Sequence, residues 1–171
     1  MRVALRCRVF LLCLSLVGAS HARAAPGNST CKPTVTGELR VHTHTSAIFG
    51  NERTIRVLLP AGYADAANKD RRYPVLYLLD GQNVFDACLS DVSHHEWGAD
   101  ETVRRLVADQ TIPPMIVVGV DHAGTQRAHE YLPYKDFVGN PDMDEPAGKR
   151  FPDFMAREVL PLVDGRYRTL Q

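Results

Sequence analysis

The chain carries six serines, Ser15, Ser20, Ser29, Ser46, Ser90 and Ser93. A serine hydroxyl is a weak nucleophile at neutral pH unless a base adjoins it. The strained strand-to-helix turn G-x-S-x-G achieves that in one large class of enzymes. Here Gly18-Ala19-Ser20-His21-Ala22 lacks the last glycine, and Ser93-His94 are sequence neighbours with no strand-turn-helix context. The histidines raise metal chemistry instead: His42 and His44 fall on one face of a strand, His94-His95-Glu96 share a loop, and Asp121-His122 and His129-Glu130 follow a later strand. Without an H-E-x-x-H or C-x-x-C frame, these do not make a metal site. Asp142, Asp144 and Glu145 have no EF-hand spacing and read as a solvated acidic loop. No metal and no cofactor is expected.

Two further features could matter chemically. Asp80-Gly81-Gln82-Asn83 follows an apolar run and, from residue types alone, is a strand-ending turn. Cys31 and Cys88 could form a bridge or stay as two thiols, since sequence does not show whether their Cα atoms approach.

The cysteine question depends on compartment. Met1 to Arg8 carries three arginines and no acid, Val9 to Ala19 is apolar but too short to span a bilayer, and Ala22-Arg23-Ala24 suits a signal peptidase. Residues 1–24 are therefore expected to be a cleaved signal peptide, which places the protein in the periplasm or outside the cell. Cys7 and Cys13 leave with it, and Cys31 and Cys88 remain in an oxidising compartment. Removing its four arginines leaves 16 basic against 20 acidic residues, a net charge of −4. A mildly acidic surface with scattered charge argues against nucleic acid and anionic membrane as partners. Asn28-Ser29-Thr30 fits a glycosylation acceptor should the host be a eukaryote.

After a loose mature N-terminus, residues 25–36, the elements begin. Gly37 to Pro60 reads as a hairpin: Leu39, Val41 and Thr43 alternate with Arg40, His42 and His44, then Ile55, Val57 and Leu59 alternate again across a Gly50-Asn51 turn. Val75 to Leu79 and Met115 to Val120 are continuously apolar, the mark of strands covered on both faces. Between them, Trp97, Val103, Leu106 and Val107 fall on one side of a helical stretch. Strand, helix and strand together make a βαβ unit with a parallel pair. A second helix is expected from Pro152 to Asp164, kinked at Pro161, with Gly165 just past its end.

Taken in order, Arg53 to Pro60 with Gly62-Tyr63, Tyr73 to Gly81, Trp97, Ile116 to Val120, Arg127 with Glu130 to Pro133, Phe154 to Pro161, and Arg166 to Thr169 resemble the putative-esterase family of α/β hydrolases. That family includes enterochelin-esterase-like enzymes, feruloyl esterases, S-formylglutathione hydrolases and mycolyltransferases. The resemblance implies an α/β fold: the N-terminal part of an α/β-hydrolase domain over residues 37–171, an antiparallel hairpin leading into a parallel βαβ sheet. It implies serine-type hydrolysis of a carboxylic ester, with the nucleophile elbow, acid and histidine beyond Gln171. The backbone N–H of Gln82 then becomes an oxyanion-hole donor, with Gly81 allowing close backbone approach and Asn83 and Trp97 on the substrate side. Trp97 could equally anchor the helix behind it. Arg127 and Glu130 could order the loop after the fourth strand or form a surface pair. The substrate expected is a small-molecule or glycan ester, and no membrane span is expected. Val75 to Leu79 would present an unpaired apolar edge open to self-association. The alternative is a catalytically inactive secreted binding module that keeps part of the fold.

Overall fold

The computed structural model describes residues 31–170 apart from 93, 136–138 and 140–144. The expected signal peptide, the Asn28-Ser29-Thr30 acceptor, Ser93, Asp142 and Asp144 lie outside the described residues.

Strands β1 (Glu38–Thr45) and β2 (Glu52–Leu59) form the expected hairpin, in register from Glu38↔Leu59 to Thr45↔Glu52. Its turn closes through Ser46 N–H to Asn51 O and Gly50 N–H to Ser46 O, both 2.8 Å. Gly50 takes a φ of +71°, a conformation that costs glycine least. β3 (Val75–Leu79) and β4 (Ile116–Val120) pair in parallel from Val75↔Ile116 to Leu79↔Val120, and the sheet order is β1-β2-β4-β3. Helix α1 (Ala99–Ala108) makes the crossover between the parallel strands. Among the described residues no helix is long and apolar enough to cross a membrane.

Alternation along the strands divides the core in two. Ile55, Val57, Ile116, Val118 and Val120 meet Phe154, Val159 and Val163 on one face. Leu58, Val84, Phe85 and Val117 meet Val103 and Ala99 of α1 on the other.

Three elements depart from the sequence reading. On β1 it is His42 and His44 that turn inward, while Val41 is 55% exposed. Tyr167 and Glu158 supply polar partners for the two imidazoles, so polarity did not keep them out. Trp97 lies outside α1: Gly98, at φ +60°, interrupts the chain before the helix begins. β3, expected to be covered on both faces, is half-buried and lies at the end of the sheet, with Leu76 39% and Leu79 37% exposed.

A short helix that the sequence reading did not foresee, α2 (Arg127–Tyr131), follows β4, and the helix expected from Pro152 to Asp164 is realised as a run of three pieces: α3 (Phe151–Phe154), a π-helical turn (Met155–Val159) and α4 (Leu160–Asp164). Pro161 sits inside this unbroken helical run, and the wide π turn before it accommodates the helical bond that its missing N–H removes. Gly165 ends α4 in a right-handed conformation, φ −73°, with its N–H bonded to Pro161 O at 3.0 Å, so no left-handed cap forms. The chain then returns to the sheet. Tyr73 N–H donates to Arg168 O and Leu170 N–H to Tyr73 O, both 2.8 Å, a parallel bridge of Thr169 to Tyr73 beside the start of β3.

Candidate active site at the turn after β3

In open α/β sheets, ligands bind beyond the C-terminal ends of the parallel strands. β3 and β4 both end at one place, and the turn there is tightly specified. Asp80 leaves β3 in the left-handed region, φ 54° and ψ 47°, uncommon for a residue with a side chain. Its carboxylate is held by Arg127 from α2 through two parallel bonds, Nε to Oδ1 and Nη2 to Oδ2, each 2.8 Å. The guanidinium keeps the Asp80 carboxyl below its ordinary pKa.

The reversal at Asp80 drops Gly81 onto β4. A Cβ there would lie 2.5 Å from the carbonyl carbon of Gly119 and 2.7 Å from both Val120 N and Asp121 Oδ1. Gly81 is therefore required for close backbone approach, but the backbone it approaches is β4. Asp121, on its other side, is fixed by Arg56 at 2.8 and 2.7 Å.

A 3-10 turn, Gly81–Asn83, follows. Within it Asn83 N–H donates to Asp80 O (2.8 Å) and Val84 N–H to Gly81 O (3.2 Å), whereas the Gln82 N–H has no acceptor among the described residues. An amide at the head of a helical turn is left free by geometry. It is thus able to donate to a ligand oxygen. The Gln82 side chain is held at both ends: its Nε2 donates to Asp91 Oδ2 and its Oε1 accepts from His122 N–H, each at 3.3 Å. Asp91 Oδ2 also contacts His122 Nε2 at 2.8 Å, while His122 Nδ1 accepts the Gly124 N–H at 2.9 Å. The acceptor role of Nδ1 fixes the proton of the neutral ring on Nε2. The His122 bond holds the Asp91 carboxyl below its ordinary pKa.

Asn83, expected on the substrate side, is 4% exposed. Its Oδ1 accepts from Ser90 Oγ and Asp91 N–H, both 3.0 Å, and its carbonyl accepts the Trp97 N–H at 2.8 Å. It organises the loop to α1 and turns away from any ligand at Gln82. Trp97 stands beside the turn with its ring 53% exposed, so it is not the anchor of a core. Ser46 and Ser90 are buried with their hydroxyls committed, Ser46 Oγ to Phe49 N–H and Ser90 Oγ to Asn83 and the His95 carbonyl.

Arg127 and Glu130 do not pair. Arg127 serves Asp80, while Glu130 is buried against Arg53 and accepts from Asn51 Nδ2 at 2.6 Å. His42 and His44 are occupied by Tyr167 and Glu158. Among the described residues no three His, Cys, Asp or Glu side chains converge as for a metal ion. Cys31 and Cys88 are bridged, with Cα atoms 5.6 Å apart, and Thr34 adds bonds from its N–H to Asp86 Oδ1 (3.3 Å) and from Ala87 N–H to its own Oγ1 (2.9 Å). The N-terminal segment is thereby tied to the loop that follows the turn.

A cavity of about 550 Å³ lies at the other end of β4, lined by Leu58, Val103, Val107 and Met115. Its lining is mostly apolar, with Asp100 and Arg104 at its wall, and includes no residue of the Gln82 turn. The sequence analysis placed the donor at Gln82, beside Gly81, through the family resemblance. It missed Asp91 and the partnership of Asp80 with Arg127, because those contacts span 31 residues (Asp91 to His122) and 47 residues (Asp80 to Arg127). His122 was visible only as a possible metal-ligand type.

Fold and site together define an α/β protein with a hydrolase-like strand-end turn. The chain belongs to the Putative esterase family, which matches residues 46–171. It is similar to an IroE-like serine hydrolase from Shewanella oneidensis, at 28% identity over 77% of this chain and 40% of that one, with a TM-score of 0.62. It is also similar to a ferulic acid esterase, at 26% identity over 78% of this chain and 46% of that one, TM-score 0.50. The enterobactin esterase FES from Shigella flexneri shares the fold, at 18% identity over 85% of this chain and 31% of that one, TM-score 0.53. The chain spans less than half the length of each of these proteins. No curated protein matches it.

Proposed function

We propose that this chain is the N-terminal part of an exported, serine-type carboxylic-ester hydrolase. It contributes the first strands of the sheet and one oxyanion donor. The observation that carries the reading is the free Gln82 amide at the common end of two parallel strands, held by side chains on both sides. Such a donor stabilises the negative oxygen of a tetrahedral intermediate, and removing one costs on the order of a hundredfold or more in rate. Family membership and the two relatives above a quarter identity, a serine hydrolase and a ferulic acid esterase, support ester cleavage. The substrate is a small-molecule or glycan ester. The nucleophile, acid and histidine lie outside these residues: the sequence holds no G-x-S-x-G, and Ser46 and Ser90 are committed elsewhere. Export rests on the charged, then apolar, then Ala22-Arg23-Ala24 order of residues 1–24.

The decisive test is the reading frame past codon 171. A strand followed by G-x-S-x-G within a few dozen codons is expected, and its absence defeats the proposal. Pure protein of these 171 residues should show no burst of product from a chromogenic ester.

A further inference from the structure

We infer that His122 and Asp91 are positioning residues for the Gln82 turn, acting through the Gln82 side chain. The inference rests on the reading of the Gln82 amide as an oxyanion donor, and it names what holds that amide in place. The turn is short and its head amide is free, so its own two backbone bonds fix it only from below. What fixes it from above is the Gln82 side chain. A glutamine amide has one donor end and one acceptor end, and here each finds its complement: Nε2 meets Asp91 Oδ2 and Oε1 meets the His122 N–H.

The second layer makes the arrangement specific. Asp91 has a half-exposed side chain. The His122 ring, only 14% exposed, holds it through Nε2–H to Oδ2 at 2.8 Å. The ring is itself oriented by the Gly124 N–H donating to Nδ1, an amide aimed back at the ring by the Ala123 backbone, φ −86° and ψ 38°. One residue thus contacts the glutamine twice, once directly by its backbone and once through Asp91. Arg127, further along the same segment, fixes Asp80 on the other side of Gly81. The stretch after β4 therefore clamps the turn after β3 at both its flanks, with Gly81 seated on Gly119 between the clamps. An acceptor oxygen is needed at position 91 because two donors, Gln82 Nε2 and His122 Nε2, converge on it.

Amide hydrogen exchange tests this without any ester chemistry, so its outcome is independent of whether the protein is an esterase. In Asp91→Ala and in His122→Ala, exchange at the Asn83 and Val84 N–H groups should rise by about tenfold, while the Val117 and Val118 amides of β4 keep their wild-type rates. Gln82→Ala, which removes both contacts, should give at least the same rise, and combining it with Asp91→Ala should add nothing, because the Asp91 contact is already lost. Asp91→Asn keeps an acceptor oxygen and should restore most of the protection. Wild-type exchange at Asn83 and Val84 in Asp91→Ala overturns the inference. So does an equal rise in β4, which would mean global loosening, or full additivity in the double variant.

Discussion

The two edges of the sheet are built from opposite materials. β1 carries Glu38, Arg40, His42, Thr43, His44 and Thr45, and its inward imidazoles are bonded to Tyr167 and Glu158. β3 is Val-Leu-Tyr-Leu-Leu, with Leu76 and Leu79 more than a third exposed and, among the described residues, a strand partner on one side only, β4. Charged and polar side chains along an edge discourage another strand from pairing there, whereas a flat apolar edge invites one. β1 is thus finished as a boundary and β3 is not. The bridge of Thr169 to Tyr73 shows the chain already turning alongside β3 at its N-terminal end. β4, between them, is buried along its whole length.

Introducing one charge at each place should rank the three. Val118→Asp puts an uncompensated carboxylate at a fully buried site of β4 and should cost roughly 3–5 kcal/mol, seen as loss of the folded state in urea. Leu76→Asp on β3 should cost about 1–2 kcal/mol, the partial burial of one leucine. Val41→Asp on β1 should stay within about 0.5 kcal/mol. Equal costs at Leu76 and Val118 would erase the distinction between edge and interior.

Gly81→Ala probes how closely the turn rests on β4. A Cβ has no route past the Gly119 backbone, and overpacking of this kind costs about 1–3 kcal/mol in thermal or chemical melts. The edge itself is sharpened by Leu76→Lys with Leu79→Lys. Size-exclusion chromatography with light scattering should show the wild type shifting toward larger species with concentration and the double variant remaining small. Identical profiles would mean the β3 edge is not adhesive.

The smallest effect lies on the finished edge. Burial, then the positive charges of Arg166 and Arg40, lower the His42 pKa below 6.5. The folded form therefore binds fewer protons than the unfolded form across that interval. Stability from this source is complete above 6.5 and is lost as the pH falls through the lowered value. The slope of melting temperature against pH in this window should flatten in His42→Asn, which has no titrating ring to face Arg166 Nη1 and the Tyr167 hydroxyl.

Much of the fold was legible in the chain because it is written in local pattern. The hairpin, both parallel strands, the crossover helix and the kink at Pro161 follow from alternation, apolar runs and the missing proline N–H. The turn at Asp80 and Gly81 was legible as a motif. What failed were inferences about surroundings. The apolar pentads of β3 and β4 look alike, yet one is an edge and the other an interior strand, because burial is conferred by neighbours distant in sequence. The inward face of β1 was misread because polarity does not reveal that Tyr167 and Glu158 wait to satisfy two imidazoles. Asn83 was placed on the substrate side through the family resemblance, whereas its side chain is buried and bonded to Ser90 and Asp91. The sequence alone determined which segments become strands and helices, and that the strand-end turn must contain a glycine. Only the tertiary structure decided that this glycine rests on Gly119, that Arg127, Asp91 and His122 converge on the turn, and which strand stands at the open edge. Apart from the contact of Asp91 with Gln82, which spans 9 positions, those facts depend on contacts between residues 30 or more positions apart, which short-range periodicity cannot encode.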